Sequence, residues 1–179
     1  MFDKSKFLFL LPLTAISSFA YANDYFNNEQ AQKALFPDAD IFIPSNINFT
    51  KEQKKKIEDI SKVRQRSNEQ KMWKAEKKGK HIGWFIVDEV VGKHEFITYG
   101  TAISPEGKVM GLEIMSYRET HGSQVRNQEW RKKFIGKTII DPFKLDVDIP
   151  NISGATLSCR NVVDGVKRLL AIYKVAIEQ

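Results

Sequence analysis

The chain has 179 residues, a formal net charge of +6 at pH 7 and a single cysteine. One cysteine excludes an internal disulfide, a C-x-x-C-H haem site and a cysteine-based zinc site. The sequence contains no dinucleotide-binding glycine fingerprint, no P-loop and no serine nucleophile elbow, so an NADH-binding reductase or an independent hydrolase is unsupported. Its three histidines are scattered, so we predict no metal site, and no catalytic residue stands out.

Residues 1–22 have the pattern of a secretory signal peptide. Lys4 and Lys6 form a basic start, residues 7–19 are mostly apolar, and Ala20-Tyr21-Ala22 is an A-x-A cleavage site. The apolar run is shorter than the ~20 residues of a spanning helix, which favours cleavage after Ala22 over an uncleaved anchor. We therefore expect a periplasmic protein, and export argues against a nucleic-acid partner.

The next two segments differ in composition. Residues 23–50 contain two prolines and many Asn and Asp residues, which indicates a loosely structured N-terminal lead-in. Residues 51–80 hold twelve Lys or Arg against five Asp or Glu. This segment is either a docking face for an acidic partner or membrane surface, or simply a solvated helix face. Thr50 and Gln53 form a capping box that opens a predicted helix over 51–63.

The rest of the chain predicts a sheet followed by helices. Strands are expected at 72–75, 82–91, 93–103 and 109–117, joined as an antiparallel meander with a proline–glycine turn at 104–107. A short helix is expected over 127–135. A long one is expected over 156–177, where apolar residues recur at helical spacing. This order predicts an α+β fold, in which helices pack on a twisted antiparallel sheet.

A tight, side-chain-poor turn precedes the long helix. Ser153-Gly154-Ala155-Thr156 places a threonine hydroxyl where a helix begins. Free backbone N–H groups and the helix dipole favour a phosphate at such a place. The alternative for Thr156 is a helix N-cap, and for Gly154 and Ala155 an ordinary turn.

Three pieces of the sequence, in order, resemble the bacterial FMN-binding domain family. They are the hairpin over 107–114, the stretch Glu119-Thr120-His121-Gly122 with the residues that follow it, and Ser153-Gly154-Ala155-Thr156. The residues after the second stretch are Trp130, Phe134, Gly136 and Lys137. Similar motifs occur in the flavin-carrying subunits of the Rnf complex and of sodium-pumping NADH:quinone reductase. The resemblance is strongest over 94–175, within an expected domain of 51–179.

The resemblance implies FMN as cofactor, attached through its phosphate to Thr156 by a separate flavin transferase. It also implies that Ser153 and Ser158 bind the phosphate or cap the helix, and that Gly154 and Ala155 let the backbone approach it. Beside the flavin ring it places Glu119, Thr120, His121 and Gly122. Lys133 and Lys137 either steady the cofactor or are ordinary exposed lysines.

The function that follows is an exported flavoprotein that transfers electrons between membrane-bound or extracytoplasmic partners. One departure from the family pattern keeps alternatives open, because Pro150 stands where the family usually has an aspartate. FMN would then be bound without a covalent bond, or the chain would be a non-redox binding or scaffold module. A third reading is an enzyme that uses bound flavin to reduce a small molecule.

Overall fold

The computed structural model describes residues 23–119 and 122–178. The predicted signal peptide, Thr120 and His121 lie outside these described residues. Within the described ranges, no helix combines the length and apolar character that crossing a membrane requires.

The described residues form eight strands and four α-helices. The strands are β1 Asn23–Asp24, β2 Ile41–Pro44, β3 Ile47–Asn48, β4 Glu69–Gln70, β5 Met72–Lys77, β6 Lys80–Val91, β7 Phe96–Ile103 and β8 Val109–Tyr117. The helices are α1 Asn28–Leu35, α2 Lys51–Ser61, α3 Gln128–Arg131 and α4 Thr156–Ile172. Short 3₁₀ turns flank α3, and a π-helical turn, Tyr173–Ile177, follows α4.

The main sheet has six antiparallel strands in the order β1-β8-β7-β6-β5-β2, and β3 pairs with β4 in a small second sheet. The predicted meander and the α+β class are confirmed. The turn between β7 and β8 is closed by the Gly107 N–H donating to the Ser104 carbonyl at 3.0 Å. Gly107 has a φ of +76°, which a glycine adopts without strain.

Helices cover both faces of the sheet. The larger core lies between the sheet and the α2–α4 pair, where α4 buries Val162, Val166 and Leu169 among its apolar stripe. The smaller core lies on the opposite face under α1, around Phe85. Burial of apolar surface on both faces is the main stabilising contribution to such a sheet.

The expectation of a loosely structured lead-in was wrong. Residues 23–50 contain α1 and three strands, of which β1 and β2 form the two edges of the main sheet. Asn27 caps α1 through a capping box with Gln30, a short-range signal that the frequent Asn and Asp residues obscured. The lead-in is therefore part of the folded unit, because it pairs with β5 and β8.

Candidate functional site

Thr156 is the first residue of α4 and lies at an open helix end. The N-cap position is Ala155, whose side chain makes no capping hydrogen bond. Thr156 itself is therefore not the N-cap. Gly154 has a φ of +81° and nothing within 4 Å of the place where a Cβ would lie. The half-buried Thr156 thus follows an open turn, at a helix end whose N-cap residue makes no side-chain hydrogen bond.

The two serines near Thr156 have different surroundings. Ser153 is exposed on the turn. Ser158 is 4% exposed and shares a hydrogen bond of 3.1 Å with the Tyr117 hydroxyl at the end of β8. Neither serine caps α4. Burial raises the pKa of the Tyr117 hydroxyl, so it remains neutral beside Ser158 at physiological pH.

The loop after β8 packs directly on the turn before α4. Gly122 has a φ of +88°, and a Cβ there would lie 3.2 Å from the Ala155 Cβ and 2.6 Å from the Tyr117 hydroxyl. Only glycine fits this approach. Two motifs that are more than thirty residues apart in the sequence therefore meet at one place.

Glu119 binds the turn between β6 and β7. Its Oε1 atom accepts hydrogen bonds from the backbone N–H groups of His94, at 2.5 Å, and Glu95, at 3.0 Å. Burial raises the pKa of the Glu119 carboxyl, but these N–H groups and that of Lys93 outweigh burial and lower it. Its carboxylate is thus a structural acceptor that ties β8 to the neighbouring hairpin. The sequence did not reveal this partner.

Asn161 holds the same turn from the other side. Its Nδ2 group donates to the Val91 carbonyl and, at 3.3 Å, to the Gly92 carbonyl. Gly92 has no room for a side chain, because a Cβ there would lie 2.6 Å from Glu119 Oε1. The end of β8, the β6–β7 turn and the first turns of α4 are thereby joined. The role of Asn161 is not visible in the sequence, because a lone asparagine within a helix is part of no motif.

Comparison with known proteins identifies the part of the chain that contains this arrangement. Residues 92–171 match the family described as FMN-binding domain. This segment belongs to the FMN-binding domain family.

Two individual proteins are similar to the chain. One is a subunit of the proton-translocating ferredoxin:NAD(+) oxidoreductase complex of Clostridium ljungdahlii, 32% identical over 108 residues. The match covers 56% of this chain and 58% of that relative, so the chain spans little more than half of the curated protein's length. The crystal structure of Shewanella oneidensis NqrC aligns with a TM-score of 0.54 at 18% identity, covering 86% of this chain and 88% of that one. The second likeness shows a shared fold.

A shallow cavity of the FMN-binding domain lies just before the Ser153 turn. Its volume is about 350 Å³, and its lining includes Trp130, Lys133, Pro150 and Ile152. The Trp130 indole N–H donates to the Pro150 carbonyl at 2.8 Å, which fixes the chain that leads to the turn. Glu129 also lines the cavity, but its carboxylate pairs with Lys132 at 2.8 Å, so Lys133 is the cation of this lining that has no ion pair among the described residues.

Lys137, by contrast, is a structural residue of the FMN-binding domain. Its Nζ atom lies 2.8 Å from Asp148 Oδ2, and both side chains are nearly buried. The Asp148 carboxylate also accepts from the Phe143 and Lys144 backbone N–H groups. Burial raises the pKa of Asp148, but Lys137 and these N–H groups outweigh it and lower the pKa. Lys137 is thus unavailable to steady a cofactor, whereas Lys133 is exposed on the cavity wall.

Cys159, the cysteine of the chain, is free and fully buried in α4. Burial raises the pKa of its thiol, which keeps the sulfur protonated and unreactive at neutral pH. In the described residues no cluster of three or more His, Cys, Asp or Glu side chains suits a metal ion.

Proposed function

We propose that the protein is an exported flavoprotein that holds FMN by its phosphate at the start of α4, with the phosphate esterified to Thr156. The observation that carries the proposal is the open end of α4, where the half-buried Thr156 follows a turn that has free space at Gly154. A helix end without a side-chain cap offers N–H donors and a favourable dipole to a phosphate.

The donor chemistry of this turn fits a phosphate ester. Ser153 is exposed and would donate its hydroxyl to a phosphate oxygen, and Gly154 leaves the backbone accessible. Ser158 is excluded from this role because its hydroxyl is buried against Tyr117. Attachment would join Thr156 Oγ1 to phosphorus, in exchange for the leaving group of the flavin donor. A separate flavin transferase would catalyse the exchange, and the hydroxyl proton would leave with the displaced group.

Bound FMN supplies transfer of one or two electrons, and the chain's own residues would orient it. We infer that the ring occupies the cavity beside Trp130, where an aromatic wall and Lys133 meet. A lysine near a flavin that gains negative charge on reduction would favour the reduced form. Glu119 and Gly122 contribute indirectly, because they fix the loop that faces the turn. Roles for Thr120 and His121 beside the ring remain part of the proposal.

The partners are proposed from the relatives. The Clostridium ljungdahlii relative is a subunit of a ferredoxin:NAD(+) oxidoreductase complex, and electron transfer to and from membrane-bound or extracytoplasmic partners fits the predicted export. The basic segment 51–80 remains a candidate docking face. Two of its lysines already have partners: Lys54 donates to the Arg66 carbonyl and the Asn68 side chain, and Lys56 pairs with Glu52. Lys55 is exposed and is the better probe of docking.

The deciding experiment is the intact mass of the mature protein after export from a host that contains a flavin transferase. We expect a gain of one FMN less one water, which disappears in Thr156→Ala and persists in Ser153→Ala. If the folded wild type carries no added mass but releases FMN on denaturation, the cofactor is bound without a covalent bond. A folded wild type without flavin would favour the scaffold alternative. Modification that persists in Thr156→Ala would place the bond at another residue.

A further inference from the structure

A second and larger cavity lies over β6, between α4 and the chain that joins α2 to β5. Its volume is about 580 Å³, within the range of small-molecule sites. No residue of the Ser153–Thr156 turn lines it. Its wall on α4 is made by Asn161, Asp164 and Arg168, and a rise of 1.5 Å per residue puts Asp164 about 12 Å along the helix from Thr156.

Three cations line this cavity from the basic segment. Arg64, Arg66 and Lys71 are exposed, and within the part of the chain that the structure describes their side chains take part in no ion pair. The backbone that carries the two arginines is fixed, since the Arg64 carbonyl accepts from Arg168 and the Arg66 carbonyl from Lys54. These cations are therefore presented together on a fixed segment. Glu69 and Glu89 also line the cavity, but their carboxylates accept hydrogen bonds from Asn46 and Thr98 and form no ion pair with the three cations among the described residues.

The α4 wall contributes a carboxylate that forms no ion pair among the described residues. Asp164 lines the cavity, is half-buried, and has no hydrogen-bond donor among the described residues. Burial raises the pKa of Asp164, and the nearby charges of Arg160, Lys167 and Arg168 offset this only in part. A half-buried carboxylate without a donor costs stability unless another group meets it.

The cavity wall also contains polar atoms that the fold leaves unpaired. Arg168 pairs with Asp88, which also accepts from the Tyr99 hydroxyl at 2.5 Å. Even so, Arg168 Nε and Gln65 Oε1 are buried without a partner among the described residues. Unpaired buried polar atoms are uncommon in folded proteins, and both of these belong to side chains that line the cavity.

The apolar part of the lining limits what the cavity can hold. Val90 is buried and Phe96 is 57% exposed, and both line the cavity. A cavity that combines unpaired cations, an unpaired carboxylate and an apolar side is complementary to a molecule with both charges. Arginine side chains favour phosphate as the anionic group, and a carboxylate favours an ammonium group.

We propose that this cavity binds a small zwitterion that carries a phosphate and an ammonium group. Arg64, Arg66 and Lys71 hold the phosphate, and Asp164 holds the ammonium. Such a molecule has two sources: a soluble phosphoethanolamine-type metabolite, or the headgroup of a phosphatidylethanolamine bilayer. The site is independent of flavin attachment, because its residues and those of the Thr156 turn do not overlap.

Calorimetric titration of the full mature protein with O-phosphoethanolamine tests the proposal, with inorganic phosphate and ethanolamine as separate probes. We expect O-phosphoethanolamine to bind more tightly than either fragment. Arg66→Gln and Asp164→Asn should each weaken it by roughly tenfold, as loss of one charge-assisted contact predicts. Lys55→Gln and Asp59→Asn, both exposed on α2, are matched controls and should bind as the wild type does. Thr156→Ala should also bind normally.

Three results would overturn the proposal. Equal affinities for inorganic phosphate and O-phosphoethanolamine would show that Asp164 does not bind the ammonium group. Wild-type affinity in both Arg66→Gln and Asp164→Asn would show that the ligand binds elsewhere. Loss of binding in Thr156→Ala would show that this cavity and the flavin site are one site. Far-UV circular dichroism of each variant shows whether its fold is retained.

Vesicle flotation then identifies the source of the zwitterion. Flotation with phosphatidylethanolamine vesicles but not with phosphatidylcholine vesicles, lost in Asp164→Asn, supports a headgroup. Binding of the soluble molecule without flotation supports a metabolite.

Discussion

Gly122 lies against Ala155, so the loop that follows β8 is packed on the turn that begins α4. A Cβ on Gly122 would lie 3.2 Å from the Ala155 Cβ. The contact joins two of the family's motifs, because Gly122 closes the Glu119 stretch and Ala155 precedes Thr156. The position of Thr156 thus depends on Gly122, although Gly122 has no side chain that could contact a cofactor.

Gly122→Ala should therefore reduce both stability and flavin attachment. The positive φ costs about 1–2 kcal/mol in a residue with a Cβ, and the contact with Tyr117 and Ala155 adds about 1–3 kcal/mol. Gly154→Ala is the matched control, because its φ is similar and the space around it is open. Urea unfolding measures both variants. Equal losses of unfolding free energy would show that the close approach at Gly122 has no energetic weight.

Lys133 and Lys137, which follow α3 in the chain, should behave differently. Lys137→Gln breaks the nearly buried pair with Asp148 and should cost about 3 kcal/mol of unfolding free energy. Lys133→Gln changes an exposed residue and should alter stability by less than about 0.5 kcal/mol. In flavin-loaded protein, however, Lys133→Gln should lower the reduction potential, measured by dye-coupled titration. An unchanged reduction potential would show that Lys133 does not lie near the cofactor.

Asp148 should also determine part of the acid stability. Its pKa is lowered in the folded protein, so the folded state binds fewer protons than the unfolded state near this pKa. The stabilisation is present above the ordinary Asp pKa of about 4 and is lost as the pH falls through the lower folded value. Unfolding free energies between pH 7 and acid should fall less steeply in Asp148→Asn than in the wild type. Parallel curves would contradict this assignment.

Local signals predicted much of this fold. The capping box at Thr50 and Gln53 is present, strand β8 has the predicted bounds, and α4 begins at Thr156 as its apolar spacing indicated. The helix expected over 127–135 is instead the single α-helical turn α3 followed by a 3₁₀ turn, Lys132–Phe134. Tertiary contacts explain this difference, because Trp130 and Phe134 pack into the core at a centroid distance of 5.0 Å.

The site was less predictable, since its contacts join distant parts of the chain. The motif order identified the Ser153 turn and the Glu119 stretch, but not that Glu119 binds the β6–β7 turn or that Ser158 faces Tyr117. Such pairs depend on which elements become neighbours, and the residue types alone do not encode that. The same reason explains why Lys133 and Lys137 looked equivalent in sequence and have different roles in the structure.

Gly165 lies where α4 passes over Tyr99. A Cβ on Gly165 would lie 2.1 Å from the Tyr99 hydroxyl and 2.9 Å from Val90 Cγ1. Gly165→Ala should therefore destabilise the protein by about 1–3 kcal/mol, although alanine is favoured over glycine in a helix by about 1 kcal/mol. Tyr99→Phe removes the hydroxyl and its hydrogen bond to Asp88, and is destabilising on its own.

The two changes should be coupled, because the phenylalanine ring lacks the atom with which the new methyl group collides. In a double-mutant cycle, the double variant should be at least about 1 kcal/mol more stable than the sum of the two single losses of unfolding free energy predicts. Tyr173→Phe also removes a hydroxyl hydrogen bond, to the Pro105 carbonyl, but Tyr173 is not among the closest neighbours of Gly165. Its effect should add to that of Gly165→Ala within about 0.5 kcal/mol. If the losses of unfolding free energy of Gly165→Ala and Tyr99→Phe were also additive, α4 would have to shift to relieve the contact. Glycine would then not be required where the helix crosses β7.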